Sequence, residues 1–112
     1  MNQIILSGRL CAEPELKTTA NGINVCSCRI AVDRGYGDKK QTDFIPVVFW
    51  RGNADVVSTY CQKGDKIYLI GELITKTYEK NGIKVFGFEI TVSSFEFGES
   101  KKTEPAEEGL PF

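Results

Sequence analysis

Thr42-Asp-Phe-Ile-Pro-Val-Val-Phe-Trp-Arg51 (TDFIPVVFWR) is the stretch on which the reading of this chain turns. Taken by twos along an extended strand, Ile45, Val47 and Phe49 fall on one side, and Phe44, Pro46, Val48 and Trp50 on the other. A strand with one solvated face alternates apolar and polar residues, and this one does not. Either both faces are buried, or one of them presents aromatic rings to something that stacks on them. The strand alone leaves both readings open.

On its N-terminal side lies a polar, glycine-containing loop, Arg34-Gly35-Tyr36-Gly37-Asp38-Lys39-Lys40, and before it a strand from Asn24 to Asp33. Cys26, Cys28, Ile30 and Val32 form the apolar phase of that strand, with Ser27 and Arg29 in the other phase. Asn21-Gly22 marks a turn, since both residues tolerate positive φ. The first strand runs from Asn2 to Leu10 and ends near Glu13-Pro14, where two carboxylates flank a solvated turn. On the C-terminal side the period changes. Ala54, Val57, Tyr60 and Cys61 recur at helical steps over residues 52–61, with Asn53 as the expected N-cap and Lys63-Gly64 as the stop. Lys66 to Ile74 is a fourth strand. A hairpin about Asn81-Gly82 joins residues 76–80 to 83–86, and the last strand runs to Phe97. Phe86, Phe88, Ile90 and Val92 share a phase there, taken as facing the core, while Phe95 and Phe97 break it. A bulge or strand end is therefore expected near Ser94.

This order predicts an all-β protein: five short strands, one helix between the third and fourth, and a protruding hairpin. It is the order of the OB-fold, a five-stranded Greek-key barrel whose open face grips oligonucleotides or oligosaccharides. Residues 1–97 are the expected domain. From Gly98 to Phe112 the composition shifts to Gly, Glu, Ser, Lys, Thr and Pro, too polar to fold alone, yet the chain finishes on Gly109-Leu110-Pro111-Phe112. An apolar, aromatic tip on an acidic tail reads as a docking peptide.

Composition narrows the function. A 41% hydrophobic content over 112 residues suits one soluble domain with its own core. No apolar run is long enough to cross a bilayer, and no charged-then-apolar leader opens the chain, so the expected location is cytoplasmic. The four cysteines lack paired C-x-x-C spacing and are expected to be reduced, small buried hydrophobes rather than metal ligands. The absence of histidine removes the usual general base. No nucleophile elbow, phosphate loop or dinucleotide fingerprint appears. The expectation is a binding protein with no catalytic residue, cofactor or metal. Residues 1–97 carry 12 Lys/Arg against 11 Asp/Glu, and residues 98–112 carry 2 against 4. A polyanion must therefore be held by a local basic patch.

Single-stranded nucleic acid needs rings on which unstacked bases lie and cations that follow the phosphates. The aromatic residues outside the core-facing sets are Tyr36, Phe44, Trp50 and Tyr78. Arg34, Lys39 and Lys40 flank Tyr36, Arg51 adjoins Trp50, and Lys76 and Lys80 flank Tyr78. Phe44 and Trp50 share a strand face, roughly 20 Å apart at the usual strand rise.

With these residues in place the chain resembles the bacterial single-stranded DNA-binding proteins. The resemblance runs from Ile4 to Phe97 through IILSGRL, EPELKTTANG, CRIAVDR, TDFIPVVFW, ADVVSTYCQKGDKIYLIGEL and TYEKNG, and resumes at the tip. It implies that Tyr36, Phe44, Trp50 and Tyr78 stack bases and that Lys17, Lys76 and Lys84 lie on or next to basic positions of the DNA path. It also implies that Glu107, Glu108, Leu110, Pro111 and Phe112 form a tip captured by replication, recombination and repair enzymes. Four copies would assemble with first strands pairing between subunits, in a nucleoid-associated homotetramer. Tyr36 and Tyr78 stand where the family usually has tryptophan, and Phe44 replaces a third large aromatic. Pro46 cannot donate to a ladder, so the strand should be bulged or edge-like there, with a basic or polar contact missing. An RNA-binding or replication-restart OB protein, or a protein–protein adaptor, is the alternative.

Overall fold

The computed structural model describes residues 1–98; the expected docking tip, Glu107 to Phe112, lies outside them. Six strands and one helix follow in the order β1 (Ile4–Leu10), β2 (Glu15–Thr18), β3 (Asn24–Arg34), β4 (Gln41–Trp50), α1 (Gly52–Tyr60), β5 (Lys66–Lys80) and β6 (Ile83–Phe97). Between β3 and β4 a single 3₁₀ turn occupies Gly37–Lys39, within what the sequence offers as a loop.

The strands form one sheet in the order β1-β5-β6-β4-β3-β2. It closes because β1 also pairs with β3, at Arg9↔Ala31 and Leu10↔Ile30. The barrel is thus β1-β5-β6-β4-β3, with β4 and β6 meeting in parallel at Val47↔Ile90 and Val48↔Thr91. β2 continues β1 along the same neighbour, Glu15 facing Ser27 and Lys17 facing Val25. The first strand expected from Asn2 to Leu10 is thus β1, and beyond Pro14 the chain resumes along β3 as β2. β2 was not expected as a separate strand: all four of its residues are exposed, so it carries no alternation to read. At the other end Asn2 does not extend β1 through its backbone. Its side-chain amide instead exchanges two hydrogen bonds with the Leu73 backbone, at 2.9 and 3.0 Å.

The core lies inside the barrel, where Leu10, Cys26, Ile30, Val47, Phe49, Ile67, Leu69, Ile90 and Val92 meet. Phe95 meets Phe49 edge to face, with centroids 5.0 Å apart. Helix α1 adds Ala54 and Val57, and Cys61 follows at its end. The expected N-cap is corrected: Arg51, at φ 56, precedes the helix and no side chain caps it. Asn53 lies inside the helix and donates from Nδ2 to the carbonyls of Val92 and Ser93, tying α1 to β6. Cys26 and Cys61 are buried and Cys11 and Cys28 half-buried, all four as free thiols.

β5 and β6 are each 15 residues, about 50 Å at the usual rise. The expected fourth strand and hairpin are one continuous ribbon, turning at Asn81 and Gly82, both at positive φ. A bulge inserts Ser93, since Ile70 faces Ser94 but Gly71 faces Val92. That shift puts Phe95 back in phase with the core, as the sequence required near Ser94. Gly71 sits beside it, where a Cβ would collide with the Thr91 carbonyl oxygen.

Pro46 produces no bulge: the β3–β4 register runs unshifted from Val25↔Trp50 to Arg34↔Gln41. The Arg29 carbonyl accepts from the Cys11 N–H at 3.0 Å, so the polar backbone of Arg29 points away from β4. Arg29↔Pro46 is therefore a non-hydrogen-bonded pair, and the proline's missing N–H faces away from β3. On that other side β4 pairs with β6 at Val47 and Val48. The strand is edge-like at Pro46, and the ladder loses nothing.

Candidate nucleic-acid interface

The two faces of β4 have different fates. Ile45, Val47 and Phe49 turn into the barrel, with Val47 and Phe49 fully buried. On the opposite face Val48 is buried and Pro46 half-buried, while the ends are open: Phe44 is 59% exposed and Trp50 39%. Tyr36, on the β3–β4 loop, is 87% exposed, and Tyr78, on the β5–β6 ribbon, 53%. All four rings are accessible.

Strand register shows which of them share a surface. Opposite Phe44, Pro46, Val48 and Trp50 on β4 stand Ala31, Arg29, Ser27 and Val25 on β3. Lys17 on β2 faces Val25, so Lys17, Val25 and Trp50 form a row across three strands, with Lys17 and Trp50 roughly 10 Å apart at the backbone. From Val48↔Thr91 the same face continues along β6 to Val85, whose partner is Tyr78. Phe44, Trp50, Tyr78 and Lys17 thus lie on one face of the sheet.

The remaining cations divide. Lys76 is on that face but holds Glu89 at 2.9 Å. Arg34 is off it by register, clamping Asp43 with two hydrogen bonds of 2.8 and 3.1 Å and Gln41 with a third. Lys40 pairs with Asp33 at 3.3 Å, and Thr42 donates to the same carboxylate. These partners hold both carboxyls below their ordinary range: the Arg34 hydrogen bond for Asp43, and the Thr42 and then Lys40 hydrogen bonds for Asp33. Lys39 lies in the 3₁₀ turn, and Arg51 at the junction of β4 and α1. Neither forms an ion pair among the described residues. Lys84 faces Glu79 on the opposite face of the ribbon from Tyr78.

Two features were missed by the sequence reading. Arg29 is exposed on the ring-bearing face, directly opposite Pro46; its alternation with Cys28 and Ile30 was the available signal. Phe86 and Phe88, expected to face the core, are exposed, Phe86 at 82%. They share the core's phase, but the ribbon has already left the barrel, and with Leu73 and Thr75 they line an open apolar shelf. Among the described residues no group of His, Cys, Asp or Glu is arranged to hold a metal, and no helix is long and apolar enough to cross a membrane.

Residues 1–98 match the model of the Single-strand binding protein family. The chain belongs to that family. Among its relatives, "Single-stranded DNA-binding protein 1" of Staphylococcus aureus (strain MSSA476) is 36% identical, covering 98% of this chain and 73% of that protein. "Single-stranded DNA-binding protein" of Bacillus cereus is also 36% identical, covering 90% of this chain and 62% of the relative. The Single-strand binding protein fold is matched as well. The solved structure "Plasmodium falciparum SSB complex with ssDNA" superposes with a TM-score of 0.81 at 27% identity, covering 88% of this chain and 96% of the other. The barrel here is accordingly an OB-fold.

Proposed function

We propose that this protein coats single-stranded DNA without regard to sequence, protecting the strand and removing its hairpins during replication, recombination and repair. The observation that carries this is the single face on which Phe44, Trp50 and Tyr78 stand open to solvent beside Lys17. Open rings receive splayed bases, and a cation beside them neutralises phosphate; neither step involves bond chemistry, so the function needs no enzyme. Relatives named for single-stranded DNA, and a solved neighbour titled as a complex with it, support the same ligand.

A homotetramer is part of this reading. β3 pairs with β1 at Arg9 and Leu10 and packs against Gly8, so the same edge of β1 from Ile4 to Ser7 has no strand beside it among the described residues, and Ile5 is exposed there. Pairing of first strands between copies would satisfy that edge. Residues 98–112 form the expected tail, with Glu107, Glu108, Leu110, Pro111 and Phe112 recruiting partner proteins. A cytoplasmic, nucleoid-associated location goes with this role.

Titration with oligo-dT tests the ligand. Trp50 emission should be quenched as the indole stacks, and light scattering on the same samples gives assembly state and stoichiometry. Unchanged emission at saturating oligo-dT overturns the stacking face. The shelf of Leu73, Phe86 and Phe88 favours one second reading, a polypeptide partner on the ribbon. Salt separates the two, because nucleic-acid affinity falls steeply with ionic strength and an apolar protein contact does not.

A further inference from the structure

Between Phe44 and Trp50 the outward face of β4 offers Pro46 and Val48, and neither can hold a phosphate. The candidate cations nearest in sequence to the rings are largely committed, Arg34 to Asp43, Lys40 to Asp33 and Lys76 to Glu89. With bulk charge near neutrality, an uncommitted cation on the ring-bearing face carries unusual weight.

β3 provides one. Arg29 stands opposite Pro46 in a non-hydrogen-bonded pair, the class that brings facing Cβ atoms to about 4.5–5.5 Å. It is exposed and forms no ion pair among the described residues. Pro46 is short and rigid, so nothing on β4 blocks the guanidinium from the surface between the two rings. Four residues further back along β3 is Val25, flanked by Lys17 on β2 and Trp50 on β4. Arg29 and Lys17 therefore lie about 13 Å apart along the strands, both on the β2–β3 side of the rings. Glu15, opposite Ser27 on the same face, forms no ion pair with either.

We propose that Arg29 is a phosphate-binding residue of this protein. It takes the role that a proline at position 46 denies to β4, and it fixes how the strand lies. The sugar-phosphate backbone runs along β3 from Arg29 toward Lys17, and the bases turn the other way, over Phe44 and Trp50. A planar guanidinium suits this task, since it holds two phosphate oxygens at once. The inference rests on the single-stranded DNA reading above.

Salt titrations of full-length protein with oligo-dT, followed by Trp50 emission, test it. Arg29→Gln should weaken binding about tenfold at moderate salt and flatten the plot of log affinity against log salt by about 0.7, one phosphate's share on a single strand. Arg29→Lys should restore the slope. Thermal midpoints and free Trp50 emission verify each fold, and Arg29→Thr, compatible with a strand, stands in should the Gln variant not fold. Unchanged affinity and slope in the neutral variant overturn the assignment. So does a loss of affinity with an unchanged slope, which would make Arg29 a packing residue. If the parent protein itself fails to bind oligo-dT, the DNA reading falls first.

Discussion

Glu89 Oε1 lies 2.9 Å from Lys76 Nζ, diagonally across the β5–β6 ladder on the face that carries Tyr78. A cation expected to meet phosphate is thus held by a carboxylate of its own ribbon. Glu89→Gln should release it. Affinity for oligo-dT should rise and the salt plot steepen by about 0.7, as one more phosphate is neutralised. Lys76 is exposed but the Glu89 side chain is only 17% so; because glutamine keeps its shape and can still accept from Lys76, thermal stability should fall by only about 1 kcal/mol. An unchanged salt plot would place Lys76 outside the DNA path.

Phe44 and Trp50 should behave as stacking platforms rather than as core. Phe44→Ala is expected to weaken oligo-dT binding by about 1–3 kcal/mol with little change in thermal midpoint, since the ring is 59% exposed. Its buried strand-mate Phe49 should show the reverse, Phe49→Ala costing about 3–5 kcal/mol of stability. Denaturant melts and binding isotherms on both variants separate the two roles.

The β3–β4 loop should loosen in acid. In the fold the Asp33 and Asp43 carboxyls sit below their ordinary value of 3.8, held by Thr42 and Lys40 and by Arg34 respectively. The unfolded loop binds protons more readily than the folded one. The stabilisation is therefore complete above the ordinary value and is lost as pH falls through the lower native values. Protection against hydrogen exchange across residues 33–43, taken relative to the intrinsic rate at each pH, should fall below about pH 4, and Asp43→Asn should blunt that dependence. A loop equally protected at pH 3 and pH 6 would contradict the prediction.

Thiol chemistry gives a sharper test of packing. Burial, then the neighbouring Cys26, pushes Cys28 up to about 12, and burial, then Asp65, pushes Cys61 up to about 11. At pH 8 both remain protonated and poorly nucleophilic. Iodoacetamide should leave them unmodified in the native protein and label all four cysteines in guanidinium, as read by mass spectrometry. Rapid native labelling of Cys28 would mean that the barrel end under α1 opens readily.

The bulge fixes a glycine. A Cβ at Gly71 would press on the Thr91 carbonyl oxygen, a backbone atom with no rotamer to escape into. Gly71→Ala should cost about 1–3 kcal/mol, measurable in urea melts. Gly22→Ala meets no neighbouring atom, and its positive φ alone should cost less.

How far the sequence could be read follows from where periodicity carries information. The two-sided apolar pattern of β4 marked it as the barrel's central strand, and the switch to helical spacing marked α1. Tyr36 and Tyr78 stood out because a loop and a hairpin have little use for aromatic packing, and Phe44 and Trp50 because they share a strand face that does not alternate with polar residues. Periodicity failed where it outlasts its cause. Phe86 and Phe88 keep the core's phase after the ribbon has left the core, and nothing local in sequence announces that departure. β2 failed for the opposite reason, being a strand exposed along its length. Arg29 lay in plain alternation, but its importance appears only once register sets it across from Pro46. Charge pairing was equally hidden: Lys76 and Glu89 are thirteen positions apart, and only the hairpin joins them.

Pro46 has a consequence for the protein's company with itself. On the side its backbone faces, the pairing of β4 with β6 begins only at Val47, and among the described residues no strand pairs with Gln41 to Ile45 there, where a foreign chain could otherwise extend the sheet. A ring nitrogen without hydrogen breaks that template, and the bulky pyrrolidine stands in the way. The protein can therefore leave this seam uncovered without inviting the edge-to-edge growth that leads to fibrils.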